Sequence, residues 1–572
     1  MSPRPSVPKG SDLLAALFTV VLVAGLALGA AAEVSGWLVS HRLPAFRGGA
    51  LSAAAVILGH PGDPGFAWRE SHLAGAPSPA GYWAVATAIV AIVAGLIGVM
   101  WRLMRDRGYL RRRQGFASRH QVRHLRRREV SPSPAQSPAP APLGVERVLA
   151  IDVGIDQATG QQMLVRPEDS ILMLGPPRCG KTASGLIPNL VTWGGSVLAT
   201  STRPELCTMT AHLRPGPVYI FDPTHMIDTD RRAGWSPIEG CDHPMQSILR
   251  ARALVGASAA GKGVSNGDYF ADSAATLLRC LFHAAAISGQ DVRTVESWLA
   301  DPDGPTPYHT LLDAPRVPLW AGHFRGIQTT GSRERASIYN SARRALGALA
   351  DPLVLESCCP PAGLGINFET VLREGGSIYV VADSRSQEAI APLVAAMAET
   401  LIDTARRLAA RMSEGRLDPP LALFLDEAAQ IAPIPSLPKV MSDGGGSGIT
   451  TVVVLQSLSQ ARERWGRQAA DAMWNAATTK LIFGGIAEDE DLESISRLCG
   501  EIDTESRSVS RGRGFDSETI APQRRRLLES AAIRGLNEGT VLLLYRRFPP
   551  ILAHLAPWWQ RRIAPLIRQR VP

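Results

Sequence analysis

Two short stretches of this chain carry residue types at spacings suited to phosphate chemistry. Residues 171–182 read ILMLGPPRCGKT, in which Gly175, Pro176, Pro177, Arg178, Cys179, Gly180, Lys181 and Thr182 match GxxxxGK[ST]. Two glycines permit a tight turn and close backbone approach to an anion, and the loop amides with the following helix start favour negative charge. Lys181 is expected at the terminal phosphates of a nucleotide and Thr182 on its magnesium ion. The apolar Ile171–Leu174 before the loop and the helical pattern from Ala183 to Leu190 after it supply the context this motif requires. These residues predict ATP and Mg2+ as cofactors.

The second stretch is Leu421–Leu425 followed by Asp426-Glu427. An acid at the carboxyl end of a buried strand can hold magnesium, and a neighbouring carboxylate can orient or deprotonate water. Asp426 is therefore expected as a metal ligand and Glu427 as general base. A third apolar run, Ile449–Leu455, ends in Gln456, whose amide can both donate and accept hydrogen bonds and so position water or sense a terminal phosphate.

Positioning these groups requires a sheet. Further strand candidates are Ser196–Thr200, Val218–Phe221, Ser377–Asp383, Lys480–Gly484 and Val541–Tyr545, with helical stretches between several of them. The economical architecture is an α/β fold with a mostly parallel sheet. Residues 265–350 are helix-compatible without recurrent strands and predict an inserted all-α subdomain. The expected layout is an anchor at 1–103, a basic stalk and linker at 104–144, a nucleotide-binding domain at 145–264 and 351–560 around the insertion, and a tail at 561–572.

The amino-terminal region reads as membrane anchor. Leu13–Ala32 and Gly81–Met100 are each about 20 residues of apolar sequence, the length of a spanning helix. A cleaved signal peptide competes for the first run, and the second run favours anchoring. The segment from about Glu33 to Ala80, rich in Gly, Pro and Ala, is expected as a small external loop with no assignable core. Within it, Leu51–Leu58 is too short to cross and reads as a buried or interfacial piece. Eleven arginines lie between Arg102 and Arg128 against Asp106 and Glu129, so this block exceeds the formal net charge of +8 for the whole chain. It reads as a cytoplasmic retention signal, with direct nucleic-acid contact as the alternative. Both the amino terminus and the main domain are then cytoplasmic. Ser131–Pro142, SPSPAQSPAPAP, predicts a semi-rigid polyproline spacer. Seven cysteines, without a close CxxC pair or a matching histidine cluster, read as a reduced chain without structural zinc.

With these motifs in place the chain resembles the VirD4/TraG-like type IV coupling proteins, conjugative DNA-transfer ATPases related to FtsK/HerA motors. The resemblance spans most of residues 145–560 and the anchor. Beyond Lys181 and Asp426-Glu427 it includes IPNL at Ile187–Leu190, FDP at Phe221–Pro223, WSP at Trp235–Pro237, the strand ending at Gln456, and RGLNEGTVLLLYRRFPP at Arg534–Pro550. It implies a membrane-proximal homo-hexamer that recruits relaxase-linked single-stranded DNA and passes it to a type IV secretion channel, with residues 265–350 recognising substrate. The chain departs from the pattern at Ser201-Thr202-Arg203-Pro204-Glu205, where many relatives have a strand-end aspartate followed by a lysine-containing turn. Arg497 and Arg344 are candidates for an arginine acting across subunits. Lys439–Gly448, expected as a flexible loop, and Arg524-Arg525-Arg526 are candidates for DNA contact; Asp503–Gln523 reads as a polar loop. Alternatives to DNA transfer are a protein-secretion or chromosome-segregation ATPase and an ATP-binding membrane scaffold or substrate receptor.

Overall fold

The computed structural model describes residues 10–41, 43–44, 46, 49–69, 76–112, 114–126, 130, 145–258, 266–361, 363–383, 385–511 and 516–569. The proline-rich spacer lies outside these residues, as do the side chains of the arginine block from 102 to 113. The chain divides into two compact units, residues 1–114 and 115–572.

The first unit contains α1 (Gly10–Ser40), α2 (Gly49–Gly59) and α3 (Pro79–Arg112). The segment between α1 and α3 does have a core: Ala31, Ala32, Ala53, Ile57, Tyr82 and Ala86 close around Trp68. Phe46 and Tyr82 meet the Trp68 ring edge-on, with centroids 5.6 and 5.9 Å away. Three aromatic rings thus supply the volume that the small residues around them lack.

Among the described residues, two helices are apolar and long enough to cross a membrane, at Pro79–Leu96 within α3 and at Gly267–Ile287. The second has a different cause for its apolarity. Half of it is buried, against 11% of Pro79–Leu96, and Leu277, Leu278, Leu281 and Phe282 fill the interior of the second unit. Of the run expected as the first span, side chains are described only from Ala24 onward; that apolar stretch, Ala24–Ser40, is shorter than a crossing.

The second unit is an α/β fold. Its strands among the described residues are β1 (Ile151–Asp156), β2 (Gln162–Val165), β3 (Ile171–Leu174), β4 (Ser196–Ser201), β5 (Val218–Phe221), β6 (Ser377–Val381), β7 (Leu421–Leu425), β8 (Ile449–Leu455), β9 (Thr479–Phe483), β10 (Glu501–Arg511), β11 (Asp516–Arg526), β12 (Thr540–Tyr545) and β13 (Ile551–His554). Eleven form one sheet in the order β2-β1-β13-β12-β9-β3-β8-β7-β4-β6-β5. From β9 to β5 neighbours run parallel; from β2 to β9 they run antiparallel. The sheet is therefore mixed: the part from β9 to β5 is parallel as expected, and an antiparallel side is joined to it that the sequence did not predict. The cause is local: Arg546–Pro550 turns β12 back into β13, and a short turn can join only antiparallel strands.

The parallel half is covered on both faces. Leu172, Leu174, Leu423, Leu425, Val453 and Leu455 enter one core, and the alternate residues Ile171, Met173, Ala422, Phe424, Val452 and Val454 enter the other. This period of two explains why the three strands read as unbroken apolar runs. Between β5 and β6 the described chain carries helices and no strand, including Pro244–Ala257, Gly267–Ile287, Trp320–Thr329 and Ser332–Ala345.

Two stretches expected as loops are ordered elements. Of the polar segment Asp503–Gln523, residues 503–511 and 516–523 lie in two paired strands, β10 with β11, registered from Glu501↔Arg526 to Arg511↔Asp516. At their base Arg526 pairs with Glu493 at 2.6 Å, and Arg524 lies near Asp503 at 3.4 Å. The glycine-rich stretch after Lys439 is a helix, Leu437–Asp443, followed by one tight turn over Gly444–Ser447. It packs where β3 and β8 begin: Ser170 donates its hydroxyl to the Met441 carbonyl, and Arg406 pairs with Asp443 at 2.6 Å. Gly445 and Gly448 allow close backbone approach, to the carbonyls of Glu168 and Leu417.

Candidate functional site

Parallel strands with helical crossovers gather their following loops at one edge of the sheet, and ligands bind outside that edge. Here β3, β8, β7 and β4 are consecutive neighbours, and their carboxyl ends deliver Gly175, Gln456, Asp426 and Thr202 in that order. The strand carrying Gln456 lies between the strand carrying the phosphate loop and the strand carrying the two acids. The Gly175 amide donates to the Leu455 carbonyl at 3.3 Å and ties the loop to that central strand.

The loop from Gly175 to Gly180 turns through two left-handed residues, Arg178 (φ 64°) and Gly180 (φ 93°). At Gly180 the backbone strongly favours glycine. Pro177 and Arg178 are exposed at the tip, whereas Lys181 is buried at the start of a helical segment running to Thr192. The Lys181 ammonium donates to the carbonyls of Gly175 and of Pro176, the latter at 2.7 Å, and lies 3.7 Å from the Cys179 sulfur. Burial pushes the Cys179 thiol pKa up, against the opposing pull of Lys181.

Opposite the lysine, the Thr182 hydroxyl donates to Asp426 Oδ2 at 2.9 Å. Asp426 is buried, and desolvation raises its pKa to about 6; the bond from Thr182 opposes that shift, and the neighbouring Glu427 adds to it. Glu427 adopts φ 49°, a left-handed conformation that costs an ordinary residue about 1 to 2 kcal/mol. That turn swings its carboxylate between the ends of β4 and β8. There Thr202 Oγ1 lies 3.3 Å from one oxygen and Gln456 Nε2 lies 3.5 Å from the other.

The predicted residues Lys181, Thr182, Asp426, Glu427 and Gln456 therefore converge on one crevice. Of the predicted loop residues, Gly175 is buried, Pro176, Cys179 and Gly180 are half-buried, and Pro177 and Arg178 are exposed. Thr202 is the contact that sequence reasoning missed. It sits in the stretch noted as departing from the strand-end aspartate pattern, and its position directly after an apolar strand was the available signal. A hydroxyl there donates to Glu427, where an aspartate would repel it.

The donor set fits a polyphosphate with a divalent cation. Lys181 is a buried cation whose hydrogen bonds go to neutral groups, and Asp426 is a buried acid whose partner is a hydroxyl. Adjacent ligands at about 2.1 Å on an octahedral magnesium ion lie about 3 Å apart, the spacing of Thr182 Oγ1 and Asp426 Oδ2. Among the described residues there is no cluster of three or more His, Cys, Asp or Glu to hold a metal ion. One carboxylate, one hydroxyl and phosphate oxygens are the pattern magnesium uses with nucleotides.

Residues 150–571 match the family described as "Type IV secretory system Conjugative DNA transfer". The conjugal transfer protein TraG of Agrobacterium fabrum (strain C58 / ATCC 33970) is 24% identical over 403 residues, covering 67% of this chain and 59% of that protein. The protein VirD4 of Rhizobium rhizogenes is 22% identical over 413 residues, covering 68% and 59%. The chain thus spans 59% of the length of either relative. The fold resembles the bacterial conjugative coupling protein TrwBdeltaN70 in its unbound monoclinic form, with a TM-score of 0.53 at 20% identity over 68% of this chain and 85% of that one. It also resembles the plasmid coupling protein TrwB in complex with ADP and Mg2+, with a TM-score of 0.51 at 19% identity over the same shares. A match running from the first strand of the sheet to the last helix includes every element that builds the crevice, and the chain belongs to the type IV secretory system conjugative DNA transfer family, among the VirD4/TraG-like coupling proteins.

Proposed function

We propose that this chain is a membrane-anchored ATPase that couples ATP hydrolysis to conjugative transfer of relaxase-linked single-stranded DNA. The observation that carries the reading is the convergence of Lys181, Thr182, Asp426, Glu427 and Gln456 at the carboxyl edge of adjacent parallel strands. Family membership and the likeness in fold to TrwB, itself solved in complex with ADP and Mg2+, support the same choice of ligands.

In this reading Lys181 holds the terminal phosphates. It has three donors: two engage backbone carbonyls, and the third faces a thiol, the weakest of its partners and the one a phosphate oxygen displaces. Thr182 and Asp426 hold magnesium, which when bound neutralises charge developing across the phosphates. Glu427 accepts the proton of the attacking water, and Gln456 positions that water beside it. Arg497 and Arg344 remain candidates for offsetting phosphate charge from a neighbouring subunit of a homo-hexamer.

The amino-terminal helices anchor the chain in the inner or plasma membrane as two crossings, with the ATPase domain cytoplasmic beside the secretion channel. The proposed layout keeps the anchor at 1–103, the stalk and linker at 104–144, and a helical substrate-recognition insertion at 265–350 within the nucleotide-binding domain. DNA contact requires little base recognition, because attraction to phosphates is independent of sequence.

The test is substrate-dependent ATP turnover by wild type and Lys181→Ala, with single-stranded DNA, duplex DNA and a candidate relaxase. Selective stimulation by the transfer substrate, lost on substitution, is expected. Stimulation by a secreted protein alone would favour a protein-secretion ATPase. Negligible turnover alongside substrate binding and oligomerisation would favour a scaffold.

A further inference from the structure

The helix α2, sequence GALSAAAVILG, has no polar face. Its one polar side chain, Ser52, donates its hydroxyl to the Gly49 carbonyl at 2.8 Å. One side packs inward, with Ala53, Ala54 and Ile57 at most 3% exposed. The other presents Leu51, Val56 and Leu58, exposed by 46, 38 and 58%. An apolar helix of 11 residues is about 16 Å long, too short to cross a bilayer.

The depth of α2 decides what covers it. A Cβ placed on Gly25 of α1 would lie 3.1 Å from Leu51 Cδ2, so Leu51 lies against α1 within the apolar run Leu13–Ala32. Leu28, about one turn nearer the external end, accepts a hydrogen bond from Tyr82 Oη at 3.2 Å, and Tyr82 stands in the first turn of α3. Leu51 thus meets α1 at Gly25, seven residues or about 10 Å inside the outer end of that run at Ala32. Leu26 on α1 and Val90, Ile92 and Leu96 on α3 are 47 to 64% exposed, the same kind of surface as the outer face of α2. Polar groups gather after its other end: Trp83 Nε1 donates to the Pro61 carbonyl at 3.1 Å, and Arg69 pairs with Asp63 at 2.8 Å. Indole rings at such a border are a hallmark of the membrane–water interface.

We propose that α2 dips into the bilayer and that lipid acyl chains cover Leu51, Val56 and Leu58. The anchor then meets the membrane with three helices, of which α1 and α3 cross. This rests on the anchor reading above. A protein partner is the poorer fit, since a protein interface carries polar groups around its apolar centre, and the one hydroxyl on this helix, Ser52, already donates to the helix's own backbone.

The purified full chain in phosphatidylcholine vesicles doped with a phospholipid bearing a photoreactive acyl tail provides the test. Mass spectrometry after illumination should find tail adducts on α2 at a yield comparable to those on Val90–Leu96. Adducts on α3 with none on α2 would overturn the proposal and leave the anchor standing; absence of adducts on both would overturn the anchor reading as well. In intact cells a membrane-impermeant maleimide should label His60→Cys and spare Leu58→Cys until detergent is added. Equal labelling of both positions would place α2 in water. Protection of Leu58→Cys without tail adducts on α2 would place a protein there, and either result overturns the proposal.

Discussion

Thr182 Oγ1 and Asp426 Oδ2 stand 2.9 Å apart although 244 positions separate them in sequence. The contact joins the helical segment after one strand to the end of another with a third strand between them, so it exists only if the whole parallel half is in register. A single pair thereby reports on both fold and site.

Asp426 should trade stability against metal binding. Its carboxyl titrates near 6 in the folded chain, against an ordinary 3.8. Because the folded value is the higher one, stability falls as pH rises through that interval, and the full burden of about 3 kcal/mol is present above pH 6. Asp426→Asn should therefore raise the Tm without nucleotide at pH 7.5 and leave it nearly unchanged near pH 4. The same variant should lose the further rise in Tm that ATP with Mg2+ gives the wild type. Thermal melts across pH, with and without ligand, check both halves.

Glu427→Gln should keep nucleotide affinity and lose turnover by about 10²- to 10⁴-fold, the range for a removed general base. Gln456→Ala, which removes one long hydrogen bond to Glu427 rather than the base itself, should cost about tenfold. Equilibrium binding of a fluorescent nucleotide beside steady-state turnover separates the two effects. A Glu427→Gln protein that hydrolyses ATP normally would remove Glu427 from the proposed chemistry.

The motif near the carboxyl terminus pins the sheet. Asp169, fully buried ahead of β3, accepts from Thr478 Oγ1 at 2.8 Å, Arg546 Nη2 at 2.9 Å and Tyr545 Oη at 3.2 Å. Asp169→Ala strands several donors at once and should destabilise the chain by about 3 kcal/mol, a scale set by broken buried pairs. Arg546 is half exposed and can turn to water, which keeps the cost at the lower end of that scale. Urea denaturation of the full chain in detergent would measure it.

Gly445 lies at the opposite edge of the sheet from the phosphate loop. A Cβ there would meet the Glu168 carbonyl oxygen at 2.4 Å, so Gly445→Ala should cost about 1 to 3 kcal/mol by forcing backbone apart. Nucleotide affinity of the folded fraction should be unchanged. A variant with wild-type Tm but altered DNA-stimulated turnover would instead restore the mobile-loop expectation for this stretch.

Much of the site was legible because its signals are local. A glycine loop between strand and helix, and acids directly after an apolar run, need only a few consecutive residues to read. All eight proposed strand segments correspond to strands, since residues buried on both faces leave unbroken apolar runs. What escaped depended on pairing and packing rather than on local apolarity. β1 carries two aspartates and a glycine, β2 and β13 have four residues each, and all three lie on the antiparallel side, where pairing rather than hydrophobicity defines them. The hairpin β10–β11 is polar along its length and looked like a loop. Gly267–Ile287 has the composition of a crossing, yet it falls in the stretch read as a helical insertion, and its packing makes it a core helix. Thr202 is an ordinary residue until Glu427 turns toward it.

The central strand β8 begins after the Gly448 turn and ends at Leu455, just before Gln456, and its seven residues span about 23 Å. Pairing on both flanks, Leu174 with Leu455 and Leu425 with Val453, holds it against sliding, since a slip of one residue would turn each side chain into the wrong layer. It is a strut rather than a spring. A displacement begun at Gln456 leaves the far edge only as a tilt of the whole slab, so in the proposed homo-hexamer the stiffness of this sheet would make each copy a lever and confine bending to the joints between levers.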